Sequence, residues 1–232
     1  VMPNNKKIEK MLAQVSFAKL FDFELNETNC ISIDLSDSNK LLLEAKMSND
    51  FDLQQFIFNS IKTKNKIAAI GGYLEKRAIY QMSDVFKNQN QNFRNIHLGV
   101  DIWANESTKV YCPLEGKIHS FYHNSTFGDY GPTIITKHQV EGFEFHLLFG
   151  HLAKSSLVNL KENDTLSKGQ FLCTLGNQSE NVGWPPHLHF QIIIDMQNKK
   201  GDYFGVCNET EKAFFETNCP NPNFIIKSKL IP

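Results

Sequence analysis

From Gly71 onward the chain is written in short runs of β-branched and aromatic residues, separated at short intervals by Gly, Asn, Asp and Pro. Val110-Tyr111-Cys112, Gly116 to Phe121, Thr133 to Thr136, Phe143 to Phe149, Phe171 to Leu175 and His187 to Ile194 each have the length and composition of a strand. Few long helical patterns intervene. The pattern therefore predicts a mainly β protein, an antiparallel β-sandwich or barrel, over residues 71–232.

The first seventy residues read differently. Ile8, Met11, Leu12, Val15, Phe17 and Leu20 have helix-like spacing between about Lys6 and Phe21. Cys30 to Ser36 alternates like a short strand, and Asp52 is placed to cap a second amphipathic helix ending near Thr63. Apolar positions are too few for an independent core, so residues 1–70 are expected to form a small α/β appendage packed on the β domain.

Composition excludes more than it selects. A formal net charge of −1 gives no electrostatic reason to expect nucleic acid or an acidic membrane surface as a partner. The five cysteines, Cys30, Cys112, Cys173, Cys207 and Cys219, form no C-x-x-C pair and suggest reduced, buried thiols. Cys207 and Cys219 could pair. No transmembrane run and no signal peptide is evident, which predicts a cytoplasmic location unless a leader has been trimmed.

Candidate chemistry begins at His187-Leu188-His189. Residues two apart on a strand share a face, so the two imidazoles project side by side while Leu188 and Phe190 turn the other way. Such a pair suits a metal ligand next to a proton-transfer group, or an ordinary structural histidine pair. His97 and Asp101 bracket Leu98-Gly99-Val100. In a regular strand they would lie about 13 Å apart. One ion could bind both only if the chain bends, which Gly99 most readily permits. His151 follows a strand in Phe149-Gly150-His151-Leu152, and the loop Gly176 to Pro186 leads into the histidine pair like the rim of a cleft. His119, His123, His138 and His146 have no comparable partners, and structural roles are expected for them.

In this order, H-x-x-x-D, G-H-L and H-L-H-F, the chain resembles the lysostaphin/LytM-type zinc metallopeptidases. The matching stretches are His97 to Ile102, Val110 to Gly116, Gly131 to Ile135, Phe149 to Leu152, Leu166 to Gln170 and His187 to Phe190. The fold this resemblance implies is the duplicated hybrid motif, a β-sandwich around a zinc groove. Asp34 to Ser36, Gly72 to Tyr80, Gly128 to Pro132, Gly183 to Pro186 and Cys219 to Asn223 further resemble a peptidase-like module found fused between kinase-like and aminotransferase-like domains.

Carried over position by position, the resemblance makes His97, Asp101 and His189 the ligands of Zn2+, with a fourth position left for water. It makes His187 and His151 the groups that move protons and stabilise the oxyanion, with His187 favoured as the base. The implied reaction is hydrolysis of a peptide or other amide bond by zinc-activated water, in a peptidoglycan cross-link or a small cytoplasmic peptide or amide. Kinase-like or aminotransferase-like enzymes are possible partners by analogy. Asn105 to Lys109 replaces a usual Gly-Thr-Pro, Phe149 stands where many relatives have Tyr, and Gln191 where Glu is common. These departures touch substrate preference, not the ligands. Glu75, Arg77 and Tyr80 either line one end of the groove or form a surface ion pair beside a packed aromatic. The alternative to an enzyme is a non-catalytic zinc- or ligand-binding module of the same fold. A phosphocarrier is disfavoured, because Asp101 would repel a phosphoryl group beside it.

Overall fold

A computed structural model describes residues 5–47, 52–82, 86 and 93–231. Its elements, in chain order, are α1 (Asn5–Gln14), β1 (Cys30–Ser32), α2 (Lys40–Lys46), α3 (Leu53–Thr63), β2 (Ala68–Gly71), β3 (Ile96–His97), β4 (Val100–Trp103), β5 (Lys109–Tyr111), β6 (Gly116–Asn124), β7 (Gly131–Val140), β8 (Phe143–Gly150), β9 (Thr165–Leu166), β10 (Phe171–Thr174), β11 (His187–Ile193), β12 (Val206–Cys207), α4 (Lys212–Asn218) and α5 (Asn223–Ile226). Among the described residues more lie in strands than in helices, so the protein is mainly β, in line with its sequence pattern.

Eight strands form one sheet in the order β1-β2-β4-β11-β8-β7-β6-β9, and two further ribbons pair β10 with β5 and β12 with β3. The pairing is antiparallel except between β1 and β2, which run parallel. The N-terminal segment therefore extends the sheet itself: β2 hydrogen-bonds to β4 and carries β1 on its far side.

Side-chain alternation divides the sheet into two faces. Leu188, Phe190 and Ile192 of β11, Val100 and Ile102 of β4, and Phe145, Leu147 and Phe149 of β8 enter the largest core cluster, with Val110, Leu172 and Cys173 of the β5/β10 ribbon and Ile8 and Leu12 of α1. Burying this face is the main source of stability, at about 25 cal/mol per Å² of apolar surface. The intervening residues, His187, His189 and Gln191 on β11, Asp101 and Trp103 on β4 and Gly150 on β8, fall on the opposite face by the period-two rule. Ile193 and Leu148 of that face join Ile96, Leu98, Tyr130 and Tyr203 in a second cluster. Histidines on the second face are thus fixed in place by apolar residues on the first.

Two N-terminal expectations need correction. The first helix ends at Gln14 and does not run on to Phe21. Beyond it the backbone is taken by pairing with a distant segment: Ala18 N–H donates to Pro113 O and Tyr111 N–H to Leu20 O, both at 2.9 Å. The Cys30 strand stops at Ser32, and Asp34 Oδ1 then accepts the Ser36 N–H at 2.8 Å, turning the chain. By contrast Asp52 caps α3 as its residue type predicts, accepting the Gln54 and Gln55 N–H groups at 2.7 and 3.2 Å. All five cysteines are free and buried, Cys207 and Cys219 included. Among the described residues no helix is long and apolar enough to cross a membrane.

Candidate metal centre

β11 lies between β4 and β8, and the register places the site. His189 is paired with Asp101 on one side and with Gly150 on the other, and His187 with Trp103. Cross-strand partners share a face and lie about 5 Å apart, so Asp101 and His189 meet with no loop needed to bring them together. His97 comes from outside the sheet. β3 pairs with β12, and the chain breaks at Leu98-Gly99 before entering β4. This is the bend the H-x-x-x-D spacing demanded. Gly99 has a second reason to be glycine: a Cβ there would stand 2.6 Å from the His189 ring and 2.9 Å from the Phe190 carbonyl.

The three groups converge closely. His97 Nε2 is 2.9 Å from His189 Nδ1, and Asp101 Oδ1 is 3.3 and 3.2 Å from those two nitrogens. All three residues are at most 3% exposed. Their other atoms define the protonation states. His97 Nδ1 lies 2.8 Å from Gly72 O, which can only accept, so Nδ1 carries the proton. Gln191 donates its amide to Phe204 O at 3.0 Å, which turns Oε1 toward His189 Nε2 at 2.8 Å and places the proton on Nε2. Asp101 Oδ2 accepts from Arg77 Nη1 at 2.6 Å.

Three lone pairs thus face one another with no hydrogen between them, an arrangement that needs a cation. Tetrahedral coordination at about 2.0–2.1 Å places ligand atoms about 3.3 Å apart, close to the separations seen here. The residues present fit a zinc ion, and they are the group of three or more such side chains found among the described residues.

Arg77 is 3% exposed and bridges Asp101, Glu75 and the Tyr80 hydroxyl, so its ion pairs lie inside the protein and not on the surface. Burial opposes the charge of Asp101, but His97 and Arg77 outweigh it and hold the carboxyl well below its usual range. Burial, then Arg77, pushes His97 down to about 4.

His187 and His151 flank the triad on the same face. His187 Nδ1 lies 2.7 Å from Pro185 O and so donates to it, leaving the Nε2 lone pair 3.9 Å from Asp101 Oδ1. The His151 ring packs on His187 with centroids 3.9 Å apart, and its buried Nδ1 has no hydrogen-bond partner. His151 adopts a left-handed φ of +64°, a costly conformation for a side chain of this size. Burial lowers both histidines, His151 well below its ordinary value with His187 adding to the effect, so both are neutral bases near pH 7.

Sequence reading brought together all five of these residues. It read Gln191 as a departure touching substrate preference, whereas its side chain fixes the tautomer of the candidate ligand His189, and it gave no role to Tyr130, whose ring lies 5.0 Å from that of His189. Gln191 could have been found as the next residue on the His187/His189 face. Tyr130 arrives from another strand connection and carries no local signal. His138, expected to be structural, is buried and bonded to Glu115 O and Thr136 Oγ1.

Comparison with known proteins adds a family. Residues 95–202, just under half of the chain, match the model of peptidase family M23. No curated protein matches. Among solved structures, a Pseudomonas aeruginosa protein described as a peptidase M23 is 19% identical, with 56% of this chain and 43% of that one covered at a TM-score of 0.38. A zinc-containing peptidase of Vibrio cholerae is 20% identical over 46% and 29%, with a TM-score of 0.34. The catalytic domain of lysostaphin from Staphylococcus simulans is 25% identical over 53% and 80%, with a TM-score of 0.36. The chain thus spans less than half the length of the first two.

Proposed function

We propose, from the match of residues 95–202 to the model of peptidase family M23, that the chain is a zinc-dependent hydrolase of amide bonds. The observation that carries this reading is the set of three hydrogen-free lone pairs on His97, Asp101 and His189, beside a fourth base, His187 Nε2, 3.9 Å from Asp101 Oδ1. Zinc bound there would polarise a carbonyl and lower the pKa of water. The protein's own contribution is the orientation of the groups around it.

Arg77 holds Asp101 by Oδ2, so that Oδ1 alone is presented to the ion. Gly72 O and Gln191 Oε1 fix the two ligand tautomers, the outer-shell arrangement that tunes a metal site. His187 accepts the proton of the attacking water at Nε2 and returns it to the leaving amine, while its Nδ1–H stays on Pro185 O. His151 and Tyr130 line the same cavity as the triad, and we assign them to the developing oxyanion. Burial, with Asp202 and Asp129, raises the Tyr130 phenol well above its ordinary range, which keeps it an O–H donor.

The test is a hydrolysis screen of peptides and small amides with the zinc-loaded chain and His187→Ala. Zinc-dependent turnover that the variant loses while keeping its metal supports the reading. Zinc binding with no turnover of any member would favour a binding module of the same fold.

A further inference from the structure

The His187 ring is tied by its Nδ1–H to Pro185 O at 2.7 Å. That bond fixes one atom. The torsion that turns an imidazole about its Cβ–Cγ bond has broad wells, so the orientation of the ring depends on what packs against its faces. Aromatic rings approach His187 from the strands on either side of β11. Trp103 of β4 is its cross-strand partner, and the two rings lie near-parallel at 23° with centroids 5.8 Å apart. This falls in the range of about 4.5–7 Å favoured for offset stacks. His151, just past the end of β8, stands 3.9 Å away at 31°.

Trp103 is buried, and its setting comes from the beginning of the chain. Its apolar cluster consists otherwise of Ile33, Leu35, Leu42, Ile57, Ile61 and Ala69, all before Gly71. Ala69 is paired with it across β2, and Ile57 and Ile61, four apart on α3, enter the cluster from one helix face. The region matched to the peptidase family, residues 95–202, contains Trp103 but none of the residues that seat it.

A polar route runs beside the apolar one. The Leu35 N–H donates to Glu75 Oε1 at 3.0 Å, Glu75 Oε2 pairs with Arg77, and Arg77 holds Asp101. The Arg77 guanidinium also stands 5.9 Å from the Trp103 ring centroid. Leu35 and Leu53 line the cavity on which the triad opens. The N-terminal cluster thus touches the site at its base and at one of its ligands.

We propose that Trp103 is a positioning residue for His187, and that the N-terminal cluster seating the indole is a functional part of the active site. The proposal rests on the hydrolase reading for what His187 does, and on packing for how it is held. The indole limits rotation of the imidazole on the β4 side, as His151 does on the β8 side. Nδ1 thereby stays on Pro185 O, and Nε2 stays 3.9 Å from Asp101 Oδ1. A misplacement of about 1 Å at a reacting group can lower a rate on the order of a hundred-fold.

Nitrogen-15 spectra of the histidine rings in the zinc-loaded full chain test the positioning without a substrate. In wild type, His187 should show a single tautomer with its proton on Nδ1. Trp103→Leu should give a mixture of tautomers and lower kcat at least about ten-fold, with KM and zinc content little changed. Trp103→Phe, which keeps a ring on that side, should restore the single tautomer and most of the rate. Ile57→Ala, a change inside the N-terminal cluster, should reproduce part of both effects, and it carries the test if Trp103→Leu does not fold. A tautomer mixture in wild type would overturn the positioning role. So would either a single tautomer or an unchanged kcat in folded, zinc-replete Trp103→Leu. Ile57→Ala indistinguishable from wild type would overturn the part given to the N-terminal cluster. A single wild-type tautomer that Trp103→Leu disturbs, in a protein that hydrolyses no amide, would defeat the hydrolase reading alone.

Discussion

Replacing Arg77 with methionine removes the guanidinium from a place where two carboxylates depend on it. Arg77 and Asp101 are each 3% exposed, and Nη1 stands 2.6 Å from Oδ2. Methionine fills much of the same volume, so packing loss is minor and the effect is electrostatic. Removing one partner of a buried pair costs about 3–5 kcal/mol. A ceiling follows from protonation: an orphaned carboxyl of normal pKa about 3.9 can be neutralised at pH 7 for about 4 kcal/mol. The variant should therefore lose about 3–4 kcal/mol of metal-free stability, or about 6–16 °C in Tm for a chain near this length. Asp101 is depressed in the folded state. The stability its pairing provides is thus present above the unfolded carboxyl pKa and is lost as pH falls through the folded one. The wild-type pairing survives at pH 4, but the difference between wild type and variant should still shrink there, because the variant's orphaned carboxyl is neutralised at little cost near its ordinary pKa. Zinc should narrow it too, because the ion compensates Asp101 from the other side. Thermal melts in chelator at pH 7 and pH 4, with and without zinc, give all four numbers. A metal-free variant within about 1 kcal/mol of wild type at pH 7 would refute the role assigned to Arg77.

Three further outcomes are expected. Gly99→Ala would drive a methyl into the His189 ring and the Phe190 carbonyl, costing about 1–3 kcal/mol and displacing a ligand, which melts and zinc titration would both register. Gln191→Leu removes the acceptor that fixes His189, and zinc affinity should fall about 10–100-fold with little change in fold by circular dichroism. The acid limb of kcat/KM should lie below pH 6.5, because burial lowers His187 from that value and the base acts only unprotonated; a limb above pH 7 in protein that keeps its zinc would exclude His187 as the base.

Much of this architecture is legible in one dimension. Strand alternation at Pro186 to Ile194 places His187 and His189 on one face, and glycine at position 99 marks the bend that brings His97 to Asp101. Asp52 announces its helix because capping is a local hydrogen-bond pattern. Other features are invisible for equally physical reasons. Ala68 to Gly71 is too short and too uniformly apolar to show a period, yet it pairs with β4 and sets Gly71 opposite Asp101. The seven-residue helix Lys40–Lys46 is capped by Asn39, and its Leu41-Leu42-Leu43 run hides any amphipathic spacing. Arg77 follows Glu75 and Lys76 and reads as part of a charged surface run. Only tertiary packing turns it inward, because its partner lies 24 positions away.

The central claim is that His97, Asp101 and His189 hold one zinc ion while His187 stays free of it. Metal content measures this directly, with zinc counted per chain after equilibration of wild type, His189→Ala, Asp101→Ala and His187→Ala. The account predicts about one zinc in wild type and in His187→Ala, and little in the other two. Full zinc in both His189→Ala and Asp101→Ala, or its loss from His187→Ala alone, would contradict it.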